Sequence, residues 1–84
     1  MFQMIGADWC DKCLQAKKLL EERGLWDLIE YIDYESTEGK EIAAQLGIEN
    51  IPFFVEDGKP VLYVGEMLRR LTEERIRQAY EGAN

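Results

Sequence analysis

The sequence predicts an α/β chain of order β-α-β-α-β-β-α, folding as a four-stranded mixed sheet flanked by helices. Three observations predict it. Short apolar or β-branched runs alternate with stretches whose apolar residues recur at helical spacing. Gly24 and Gly47 stand where the first two helical stretches must stop, and glycine takes a left-handed conformation without steric cost. Asp57-Gly58, between two further apolar runs, marks a tight hairpin reversal.

The elements follow in order. Residues 2–5, F-Q-M-I, read as a short buried strand ending at Gly6. Residues 10–23 read as a helix with Cys13, Ala16 and Leu20 on one face and Leu19 widening it. Lys12, Lys17, Lys18, Glu21 and Glu22 lie outside that face. The run I-E-Y-I-D-Y at 29–34 has the β-branched and aromatic content of a second strand. Ser36 or Thr37 can cap a helix over 38–46, whose apolar side is Ile42, Ala43 and Leu46. I-P-F-F-V-E at 51–56 is a strand entered through Pro52, and P-V-L-Y-V-G at 60–65 is its returning partner. A last helix is expected from Leu71 and Thr72 as staple and cap, with Ile76, Ala79 and Tyr80 facing inward. A strand, helix and strand of this length make a right-handed crossover with parallel strands, to which the hairpin adds an antiparallel pair.

The 84 residues fit a single domain over 1–84, large enough for a thin core. Ten basic and seventeen acidic side chains leave a net charge of −7. That balance argues against nucleic acid, whose binding rests on neutralising phosphates, and against anionic membrane surfaces. Arg69, Arg70, Arg75 and Arg77 crowd one C-terminal segment and read as a solvated helix face. No apolar run nears the ~20 residues of a membrane helix, and M-F-Q-M-I-G-A lacks the basic flank of a secretory signal. The expectation is a cytoplasmic monomer. Histidine is absent, which removes Ser-His-Asp and Cys-His nucleophile systems and the commonest metal ligand together.

The chemistry-bearing stretch is A-D-W-C-D-K-C-L-Q-A, with the two cysteines Cys10 and Cys13 at its centre. On the first turn of a helix, residues three apart are neighbours at about 5–6 Å, a separation a disulfide can span. The same turn has unpaired N–H groups and the positive end of the helix dipole, which stabilise a thiolate. Cys10, at the helix start, is the expected nucleophile; Cys13, on the inward face, is the expected resolving thiol. Lys12 favours the Cys10 thiolate, whereas Asp8 and Asp11 oppose it. A static disulfide would close only a very short loop, and a zinc site would need four ligands where the cysteines supply two. C-x-x-C beside a β-α-β pattern is a redox signature.

On these residues the chain resembles the glutaredoxin-like redoxins of the thioredoxin fold. C-D-K-C-L-Q-A-K-K-L-L-E-E-R-G is similar to the family's C-x-x-C-x-x-A-x-x-L-L-x-x-x-G from Cys10 through Gly24. N-I-P-F-F at 50–54 resembles the family's T-V-P segment, and Y-V-G at 63–65 its last strand end. The resemblance implies a cis Pro52 against the cysteines, where residue statistics alone favour trans. It also implies that the Ile51 backbone pairs with an extended substrate or glutathione, and that Gly65 lets a ligand approach closely. Trp9, Asp11, Lys12, Ile51, Pro52 and Gly65 are thus the expected substrate-binding residues around the catalytic pair.

The chain also departs from that pattern. Asp11-Lys12 replaces the Pro-Tyr of many glutaredoxins, and Trp9 before the first cysteine looks more like thioredoxins. The buried carboxylate that thioredoxins carry on their first strand has no counterpart in F-Q-M-I. G-E-M-L-R-R at 65–70 keeps only the first glycine of the glutathione-binding stretch. The function implied is a thiol–disulfide oxidoreductase acting on protein or small disulfides, with no bound cofactor or metal. Its electron donor would be glutathione or a thioredoxin-reductase-type enzyme. The alternative is a carrier in which two chains share an iron–sulfur cluster through Cys10, with glutathione as outside ligand.

Overall fold

The computed structural model describes residues 2–61 and 70–82. Their elements are β1 (Phe2–Gly6), α1 (Asp11–Glu22), a 3₁₀ turn (Trp26–Leu28), β2 (Ile29–Asp33), α2 (Thr37–Leu46), β3 (Phe53–Glu56), β4 (Lys59–Val61) and α3 (Arg70–Gly82). The described strands form one mixed sheet of order β2-β1-β3-β4. β1 runs parallel to β2, with Phe2 opposite Ile29 and Gly6 opposite Asp33. It runs antiparallel to β3, with Phe2 opposite Glu56 and Ile5 opposite Phe53. β3 and β4 close as an antiparallel hairpin through Asp57 and Gly58, which have φ of 50° and 80°. Positive φ at both central residues matches the right-handed twist of the flanking strands.

Side chains alternate across the pleat and so divide the core in two. Phe2 and Met4 of β1, Ile29 of β2 and Phe54 of β3 face Cys13, Ala16 and Leu20 of α1, together with Leu25 before the 3₁₀ turn and Ile76 of α3. Ile5, Ile32, Phe53 and Val55 point the other way, onto Ala43 of α2. Ile42, Leu46, Tyr34 and Ile48 are half-buried around that second cluster. Burying a side chain such as Leu20 or Ile76 fully is worth about 1.5–3 kcal/mol.

The helix ends follow local chemistry. Gly24 at φ 70° ends α1 in a Schellman arrangement: the Gly24 N–H donates to Glu21 O and the Leu25 N–H to Leu20 O. The accompanying apolar contact brings Leu25 and Leu20, both buried, into one cluster. At α2, Ser36 is the cap: its Oγ accepts from the Gly39 N–H at 3.0 Å and donates to Asp33 O at 2.5 Å. Gly39 is buried because its Cα rests on the end of β2; a Cβ there would stand 2.1 Å from Asp33 O.

Several expectations need correction. Thr72 is not the cap of the last helix, because the backbone is already helical at Arg70; arginine and leucine sustain a helix well enough to begin it earlier. The second strand stops at Asp33: the Tyr34 N–H still reaches Gly6 O, and the chain then folds back as the Ser36 N–H closes on the Asp33 carbonyl. β3 begins at Phe53, after Pro52 and not through it. The three-residue turn at Trp26 to Leu28 is too short for periodicity to register. The returning strand is described at Lys59–Val61; Leu62, Tyr63 and Gly65, like Arg69 of the basic segment, lie outside the described residues. Among the described residues no helix is long and apolar enough to cross a membrane.

Candidate active site

β1 delivers the chain to the site. After Gly6 the backbone turns through Ala7, Asp8 and Trp9, and the Cys10 N–H closes that turn on Ala7 O at 3.2 Å. Cys10 is then the N-cap of α1, with extended φ −96° and ψ 113°. Its sulfur takes the position a serine or aspartate oxygen usually fills, accepting the Cys13 N–H at 3.2 Å. That N–H is one of the donors a helix start leaves unpaired, at the positive end of a 12-residue helix. From the other side, the Cys10 thiol donates to the carbonyl of Ile51 at 3.8 Å, a long contact suited to sulfur.

Cys13 has a different environment. It is 2% exposed, packed among Phe2, Met4, Ala16 and Leu20, and both cysteines are free thiols. Burial is the main reason its thiol is pushed up to about 12; its hydrogen bond and charge interaction with Cys10 add to this, and the Ala7 backbone partly offsets it. Room for this sulfur depends on Gly6, where a Cβ would stand 3.1 Å from Cys13 Sγ and 3.4 Å from the Tyr31 ring. Tyr31 of β2 thus lines the same spot. Its hydroxyl is raised above the usual phenol value, first by burial, then by the charges of Asp8 and Asp33 and of the two cysteines. The Tyr31 ring lies 5.7 Å from that of Trp26, over which the Lys17 ammonium sits at 5.4 Å, tying α1 to β2 behind the dithiol.

The expected binding residues distribute unevenly. Trp9 stands on the rim, 66% exposed, and its indole N–H donates to the Glu35 carboxylate. Asp11 and Lys12, between the cysteines, are both exposed. Ile51 is half-buried, packed against both core clusters, and Pro52 is buried; the peptide bond joining them is cis. Gly65 lies outside the described residues, so Cys10, Cys13, Trp9, Asp11, Lys12, Ile51 and Pro52 are the expected residues the structure locates. Among the described residues no three Cys, Asp or Glu side chains are placed to hold a metal ion.

Two residues of the site escape sequence reasoning. Gly6 reads as the end of a strand, yet it makes the space for Cys13. Glu35 lies 26 positions from Trp9 and has no motif around it; only the fold brings the two together. A cleft of about 350 Å³ along α2, lined by Tyr34, Lys40, Ala43 and Ile48 among others, contains neither cysteine. No family model, curated protein or solved structure matches this chain.

Proposed function

We propose that this chain is a dithiol–disulfide oxidoreductase with a glutaredoxin-like version of the thioredoxin fold. The observation that carries the proposal is the asymmetry of the two sulfurs. Cys10 is half-exposed and receives a helix N–H, while Cys13, three residues on, is buried and held as a thiol. A mixed sheet with α1 and α3 on one face and α2 on the other supports the fold reading.

The reaction proceeds by two exchanges. The Cys10 thiolate attacks one sulfur of a substrate disulfide; a Cys10–substrate bond forms, the substrate S–S bond breaks, and the departing thiolate takes up a proton. Cys13 then loses its proton and attacks Cys10 Sγ. The Cys10–Cys13 disulfide forms and the second substrate thiol leaves with a proton. The substrate gains two electrons and the dithiol loses them. Ile51 O, facing Cys10, marks the backbone edge along which an extended substrate would align, with Pro52 beneath it. Partners are therefore disulfide-bearing proteins, and no resident cofactor is needed. Two thiols of glutathione, or a thioredoxin-reductase-type enzyme, return the pair to the reduced form. Glutaredoxin-like and thioredoxin-like dithiols differ in potential by about 40–70 mV, about 2–3 kcal/mol.

Insulin reduction, driven separately by glutathione with its reductase and by thioredoxin reductase, tests the proposal. Activity with at least one donor is expected, and its loss in both C10S and C13S variants. A rate unchanged by either substitution would overturn it.

A further inference from the structure

Two large apolar side chains stand exposed beside the reactive sulfur. Trp9 precedes Cys10 and is 66% exposed; Leu14 is 48% exposed. The Leu14 N–H donates to Cys10 O at 3.0 Å, which sets Leu14 one helical turn beyond Cys10 along the same side of α1. Trp9 is not loose. Its indole N–H is held by Glu35, and Glu35 sits in a fixed turn, its own N–H donating to Asp33 Oδ1 at 2.9 Å. A pinned indole offers a flat apolar face at little entropic cost to a ligand.

The charge around Trp9 is one-sided. Asp8, Asp11 and Glu35 are all exposed, and among the described residues none has a cationic partner. Lys12 is the one cation between Ala7 and Ala16, and Lys17 and Lys18 follow one turn beyond Leu14, on the side away from Trp9. The indole N–H engages one Glu35 oxygen but leaves the carboxylate charge uncompensated. An aromatic face beside uncompensated carboxylates complements a lysine or arginine side chain, whose cation the ring attracts and the carboxylate pairs. The leaning is opposite to what glutathione, with its two carboxylates, would need.

We propose that Trp9 and Glu35 select disulfides carried by a protein segment with a lysine or arginine beside the reacting cysteine, and that Leu14 receives an apolar neighbour of that residue. The selection acts on the first exchange, at Cys10, and rests on the dithiol function proposed above. The bond chemistry is unchanged: Cys10 Sγ forms the new S–S bond, and the leaving thiolate is protonated by solvent.

Three matched peptides test it, each carrying one cysteine disulfide-bonded to 2-mercaptoethanol and flanked by Lys, Gln or Glu. The full chain in C13S form, with C13A as a second background, traps the Cys10–peptide mixed disulfide, and intact mass spectrometry gives its rate of formation. Each rate is divided by the rate of the same peptide with uncharged dithiothreitol, which removes differences in thiol reactivity. The expected order is Lys over Gln over Glu, with a Lys-to-Gln ratio of about fivefold at low salt that collapses at high salt. E35Q should lower that ratio towards one, E35K should invert it, and W9A should lower it as well. If all three peptides react alike, or E35Q and E35K leave the ratio unchanged, the selection is overturned while the dithiol function stands. If Cys10 captures none of them, the Gln peptide included, the dithiol function itself fails.

Discussion

The sulfur of Cys10 accepts the backbone N–H of Cys13 at 3.2 Å, so the reactive thiol caps the helix on which its partner thiol is carried. One hydrogen bond thereby links the helix start and the spacing of the pair. The same four residues that define the motif close the first turn.

Alkylation should separate the two thiols. With limiting iodoacetamide at about pH 7.5, modification is expected at Cys10, with Cys13 at least about tenfold slower in the native protein and comparable to Cys10 after denaturation. Peptide mapping of the labelled chain reads this directly. Equal labelling of both thiols in the folded protein would contradict the burial of Cys13.

Stability should fall at high pH. The Cys13 thiol titrates near 9.0 when unperturbed and near 12 in the fold, so between those values the unfolded state has lost a proton that the native state keeps. Fewer protons on the unfolded chain mean that stability falls with rising pH across that window and is unaffected by Cys13 below it. Tyr31 contributes with the same sign above its ordinary value of 10.0. Urea midpoints for wild type and C13A at about pH 8 and 10.5 isolate the cysteine: the wild type should lose more stability between them.

Gly6→Ala tests the space under Cys13. The added methyl meets Cys13 Sγ at 3.1 Å and Cβ at 3.3 Å, on a strand paired on both sides, so the sulfur or the start of α1 must shift. A loss of about 1–3 kcal/mol is expected in denaturant unfolding, with slower resolution of a Cys10 mixed disulfide.

The Ser36 cap and Gly39 hold the turn that presents Glu35. Ser36→Ala should cost about 1 kcal/mol through loss of the bond to the Gly39 N–H. Gly39→Ala should cost more, about 3 kcal/mol, because its Cβ would lie 2.1 Å from a backbone oxygen that cannot move without the end of β2. Calorimetry checks each.

Much of this molecule is legible in the chain. The inward face Cys13-Ala16-Leu20 follows from helical spacing, and all three residues are buried. Gly24 and Gly47 end their helices at φ 70° and 66°, as a residue without a Cβ allows. The unequal exposure of the two cysteines follows from their positions on one helix. These are local consequences of periodicity, backbone sterics and the unpaired N–H groups of a helix start, all within a few residues of one another. The tertiary structure alone decided what depends on distant segments meeting. It sets Ile51 O against Cys10, Glu35 against Trp9, and Gly6 and Tyr31 against Cys13. No local pattern encodes those contacts, because strand pairing and the packing of α1 and α2 on opposite faces fix them only when the whole sheet is formed.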